Sequence, residues 1–128
     1  MKACIFDLGA TLFAHGPYRH NLENVYPRLH RYLIDAGCED VPPLEKLLTL
    51  KDTVRLVAHD FYIGSDHREI TARQAFGLAL KQLGVKGLTD QIIDRVVEID
   101  HEAYSESVEV VEGAEAALKA LKEMGLKV

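Results

Sequence analysis

Cysteine is scarce in this chain of 128 residues. Cys4 and Cys38 stand far apart, without the spacing of a metal site or the density of a disulfide framework. Two isolated thiols point to a reducing compartment, and the chain is read as cytoplasmic. Long apolar runs are missing too. A lysine at position 2 and an acid at position 7 break up the amino terminus, so neither a secretory leader nor a membrane span is expected. There is no repeat and no low-complexity tract. A strong positive charge is also absent: the net charge of -5 argues against nucleic acid as a partner. His15, His20, His30, His59, His67 and His101 make no His-x-x-x-His pair, which excludes a compact histidine metal motif. They read as polar positions on helices and loops, with His15 and His20 set apart because the loop they occupy can face a substrate.

What is present is ordinary globular material, 48% hydrophobic and 27% charged, enough for one domain with a real core. The charge is uneven. Residues 1–87 carry 11 Lys and Arg against 10 Asp and Glu, whereas residues 88–128 carry 4 against 10, which reads as a solvated acidic helix face.

The opening stretch is the most informative. Ala3 to Phe6 is a short apolar run, too brief for a helix and closed by Asp7 and Gly9, the pattern of a strand buried on both faces. Ligands collect at the carboxyl ends of strands in open parallel sheets, so Asp7 is placed for chemistry. Gly9 permits a tight turn, and Thr11 returns a hydroxyl toward the acid.

Helical spacing follows. Leu22, Val25, Tyr26, Leu29, Leu33 and Ala36 form one stripe ending at Gly37, with a kink or late start expected at Pro27. Pro42-Pro43 leads into a second stripe of Leu44, Leu47, Leu50, Val54, Val57, Ala58 and Phe61. The third helix has both ends marked, by a capping box at Thr71-Ala72-Arg73-Gln74 and by Gly84, and its expected buried face is Ala72, Ala75, Phe76, Ala79, Leu80 and Leu83. A fourth helix begins near Thr89, around Ile92, Ile93, Val96, Val97 and Ala103. Val108 to Val111 is an extended return, and Gly113 and Gly125 bracket a last helix striped by Ala114, Ala117, Leu118, Leu121 and Met124. Leu126-Lys127-Val128 opens what should be a second parallel strand.

The string Phe6-Asp7-Leu8-Gly9-Ala10-Thr11-Leu12 resembles the first motif, Asp-x-Asp-x-Thr, of the haloacid dehalogenase-like hydrolases, with Gly9 in place of the second acid. The Gly113-helix-Gly125-strand pattern resembles the approach to that family's second motif. The resemblance implies an α/β fold: a partial Rossmann-like (HAD-like) core at 1–16 and 106–128, with an inserted four-helix cap at 17–105. It implies a phosphatase-like hydrolase acting on a small phosphate ester through an aspartyl intermediate. Asp7 would be the nucleophile and a Mg2+ ligand, the Gly9 carbonyl a second Mg2+ ligand, and Thr11 a steadying hydrogen-bond partner.

Gly9 has no side chain to protonate a leaving alkoxide, a role worth roughly 100-fold to 10,000-fold. A carbon-halogen or carbon-phosphorus bond hydrolase, whose leaving group needs no proton, is therefore an alternative. The family's remaining motifs would lie beyond Val128, so the 128-residue chain is expected to be incomplete and inactive alone. A non-catalytic binding or assembly module is the other alternative. Unpaired strand edges and an uncovered helix lead to the expectation of a homo-oligomer or a complementary carboxyl-terminal half as partner.

Overall fold

The local chemistry of one helix shows how the chain is built. Thr71 accepts a hydrogen bond from the Gln74 amide (3.3 Å) while Gln74 Oε1 accepts one from the Thr71 amide (3.2 Å), so the expected capping box starts a helix over Ala72–Gln82. Gly84, at φ +100°, takes the left-handed conformation that lets the chain leave the last turn. Ala75, Phe76, Ala79, Leu80 and Leu83 are buried, as their spacing requires, whereas Ala72 lies in the first turn and is exposed.

Elsewhere the same reasoning gives, in chain order, β1 Phe13–His15, α1 Tyr18–Asp35, α2 Leu44–Leu47, α3 Leu50–Gly64, the helix above as α4, α5 Asp90–Glu106, β2 Val108–Val110 and α6 Ala114–Glu123. This is a computed structural model. It describes residues 3–7, 9, 11–15, 18–106 and 108–127, the side chains of 15, 18–23 and 104 excepted. The side chains of His15, His20 and Leu22 of the first stripe thus lie outside what is described.

The extensive helix contacts are α1 with α5, α3 with α4, α4 with α5, and α1 with α2. Their shared core centres on Leu29, Leu33, Leu47, Leu50, Leu80 and Val96, all fully buried. α1 runs unbroken through Pro27. The second stripe is divided: α2 and α3 meet at Leu48-Thr49, and Leu47 and Leu50 reach the core from either side of the join. Gly77 is buried where α4 crosses α5, and a Cβ there would stand 3.0 Å from Ile93 Cδ1, so the absent side chain lets the helices approach.

The expected α/β class is corrected. The described residues form a mostly helical fold, and their one sheet is the antiparallel pair β1–β2, with Phe13 opposite Val110, Ala14 opposite Glu109 and His15 opposite Val108. They contain no partial Rossmann-like (HAD-like) core, and the segment expected as a four-helix cap holds five helical pieces. Ala3 to Phe6 is not a strand buried on both faces. Ala3 makes a single parallel bridge to Lys127, the Cys4 amide donates to the Lys127 carbonyl (2.9 Å), and Ile5 is 98% exposed. An apolar run becomes a buried strand only when neighbours pair its backbone on both sides. The helices satisfy their backbone groups locally and need no such neighbours.

No helix of the described residues is long and apolar enough to cross a membrane.

Candidate functional site

The motif loop is held by backbone contacts. Gly9 forms a bridge with Phe13, Thr11 and Leu12 make a turn between them, and the Val111 amide donates to the Leu12 carbonyl (3.0 Å). The loop is thereby pinned to the start of β1 and to the residue after β2. Asp7 precedes it, just beyond the segment tied to Lys127. Asp7, Gly9 and Thr11 are all exposed. Leu8 and Ala10 lie outside the described residues.

Proximity in sequence does not create the contact expected between the two side chains. Among the described residues no hydrogen bond joins Thr11 to Asp7, and no ion pair engages the Asp7 carboxylate. A solvated carboxylate is accessible to a reagent, but it lacks the water-excluding surroundings and fixed donors that accelerate phosphoryl transfer. Nor do the described residues fit Mg2+ unaided. They include no group of three or more His, Cys, Asp or Glu side chains able to hold a metal, and Asp7 with the Gly9 carbonyl falls short of octahedral oxygen coordination.

The helices hold a second set of polar contacts. Lys51 Nζ on α3 lies 2.5 Å from Asp100 Oδ2 on α5, and also stands 5.8 Å from the centre of the Phe76 ring. Asp100 is only 8% exposed. Around the rim, Glu102 accepts hydrogen bonds from Arg95 and Arg28, each at 2.8 Å, and these partners, Arg95 foremost, hold its carboxyl below the usual carboxylate range. Arg73 makes a two-pronged contact with Asp94, at 2.5 and 2.6 Å, which joins α4 to α5 and raises the guanidinium pKa. Burial pushes the Cys38 thiol up, away from the thiolate form a nucleophile needs.

Beside the Arg73–Asp94 pair runs an open groove of about 560 Å3, with Phe61, Ile70, Gly77, Leu78 and Ile93 along it and Lys81 at its margin. Its residues come from α3, α4, α5 and the Ile70 loop, not from the motif loop. Neither the groove nor Asp100 was expected from the sequence. For Asp100 a signal existed: it lies four residues after Val96 and three before Ala103, on the face those residues bury.

No protein-family model matches the chain, and neither a curated protein nor a solved structure does.

Proposed function

We propose that residues 3–12 are the nucleophile segment of a phosphatase-like hydrolase of the haloacid dehalogenase type, and that these 128 residues alone do not complete its chemistry. The observation that carries the reading is the position of Asp7. Its carboxylate is open to solvent four residues beyond the Ala3–Lys127 bridge and two before Gly9, whose bridge to Phe13 closes the loop. An Asp7 oxygen would attack the phosphorus of a small phosphate ester, forming an aspartyl phosphate as the ester P–O bond breaks and the electron pair leaves on the alcohol oxygen. Water would then cleave the acyl phosphate, releasing phosphate and regenerating the carboxylate. With glycine at position 9 the alcohol must leave without a proton from that position, so aryl or enol esters are the substrates of choice. Mg2+ would take Asp7 and the Gly9 carbonyl as this chain's share of its ligands, and supply electrostatic screening of the phosphate when bound. The two free thiols, Cys4 and Cys38, accord with a reducing, cytoplasmic setting.

A non-catalytic module is the second reading, favoured by an Asp7 that stands without a hydrogen bond to Thr11. Phosphoryl labelling separates the two. The chain incubated with acetyl phosphate and Mg2+ should acquire one hydroxylamine-sensitive phosphoryl group, absent in Asp7→Asn, without sustained release of phosphate. Equal labelling of both proteins, or none of either, overturns the nucleophile assignment. Sustained turnover that Asp7→Asn abolishes, in material of 14.3 kDa, overturns the incompleteness.

A further inference from the structure

The last helix is amphipathic but has little to pack against. α6 is not among the helix pairs in extensive contact. Ala114 is buried and Leu118 and Leu121 are half-buried, so one flank of the stripe is covered. The adjoining flank is apolar and open: Ala116, Ala120 and Met124 lie four residues apart on one ridge, and Met124, at the end of the helix, is 72% exposed. Lys119 and Glu123, also four apart, border that ridge. Neither is engaged in an ion pair among the described residues.

This pattern is complementary to itself when reversed. If two α6 helices lie antiparallel with a two-fold axis near Ala120, the large Met124 of each meets the small Ala116 of the other, and Ala120 meets Ala120. Lys119 then falls opposite position 121 of the other copy, two residues and about 3 Å of helix rise from Glu123, which a lysine side chain spans. Residues on the same border of two antiparallel helices face each other, so both Lys119–Glu123 contacts form at once and the helix dipoles oppose favourably. In a parallel pair the Lys119–Glu123 border would instead face Ala117 and Leu121 of the other copy, and neither charge would find a partner.

We propose that α6 is the surface through which two copies of this chain associate, in an antiparallel, two-fold symmetric contact. The proposal is independent of the role of Asp7. A ten-residue helix presents less than the area of a standard interface, so the dimer should be weak, with a Kd on the order of 10–100 μM.

Charge reversal tests it. Sedimentation equilibrium over a concentration series should show a monomer–dimer equilibrium, and Lys119→Glu or Glu123→Lys should each raise Kd by about tenfold or more, because two like-charged contacts replace two opposite ones. The double variant, with the charges exchanged, should return toward the original Kd. An equimolar mixture of the two single variants should associate more tightly than either alone, since both cross-contacts are then opposite in sign. Met124→Asp should abolish the dimer, and circular dichroism on every variant verifies that the helices persist. A monomer at about 500 μM, or a dimer indifferent to these charges, overturns the proposal.

Discussion

Lys51 and Asp100 form an ion pair between α3 and α5 at the margin of the apolar core, 49 residues apart in sequence. Asp100 is the buried member and Lys51 the half-buried one, so the pair is unequal: loss of Lys51 strands a carboxylate with almost no water, whereas loss of Asp100 leaves an ammonium that can still reach solvent.

Lys51→Met should therefore destabilise the fold more than Asp100→Asn, by roughly 2–4 against 1–2 kcal/mol. The double replacement Lys51→Met with Asp100→Leu should recover most of the loss, because no charge is then stranded. Urea denaturation of the four proteins checks the ordering, and equal losses from the two single variants would refute the stated asymmetry.

At Gly77 two effects oppose. Alanine would gain roughly 0.5–1 kcal/mol of helix propensity, but its Cβ must displace an Ile93 side chain 3.0 Å away. Gly77→Ala should come out within about 1 kcal/mol of the parent, and Gly77→Val should cost about 1–3 kcal/mol through overpacking. Ile93→Val, which removes the Cδ1 concerned, should relieve Gly77→Val in a double-mutant cycle. Thermal melts of the set provide the measurement.

Removing the Thr71 hydroxyl breaks one half of the capping box and frees the Gln74 amide. Thr71→Ala should cost about 1 kcal/mol, and Thr71→Ser should restore most of it. The amides at the start of α4 should show the change first, as faster hydrogen exchange in the alanine variant.

Acid should loosen the contact between α1 and α5. Glu102 has its folded pKa depressed from an ordinary 4.5 by Arg95 and Arg28, so its contribution is fully present above that value and is lost as pH falls through the lower, folded one. Stability measured from pH 6 downward should fall less steeply below about pH 4.5 in Glu102→Gln than in the parent. Identical acid limbs would show that these exposed pairs contribute nothing to folding.

Elements whose instructions are local could be read before the fold was known. The Thr71–Gln74 box, Gly84 and the α4 stripe all operate within a few residues, and the helix formed where they indicated. The break between α2 and α3 left no such trace, because Leu44, Leu47, Leu50 and Val54 keep helical spacing across it. Ala3 to Phe6 misled for a different reason: an apolar composition says what a strand can bury, not whether neighbours exist to bury it, and Ile5 is bare. The motif located Asp7, Gly9 and Thr11 in one loop, but the hydrogen bond expected within it depends on side-chain directions that residue spacing does not determine. Lys51 and Asp100 were invisible as a pair, since tertiary packing alone brings α3 beside α5.

The pairing of β1 with β2 has a mechanical meaning. The chain passes into the helical bundle through Phe13–His15 and leaves it through Val108–Val110, so the two short strands are parallel rails running in opposite senses, with Phe13 and Val110 at their outer end. Once the Ala3–Lys127 and Leu12–Val111 contacts beyond that end had given way, tension applied from outside would arrive on both rails together and peel the sheet open in sequence: Phe13 from Val110, then Ala14 from Glu109, then His15 from Val108. Each step loads one pair instead of all three. The strands would part at low force, while the leucine core around Leu29 and Leu80 still bore none.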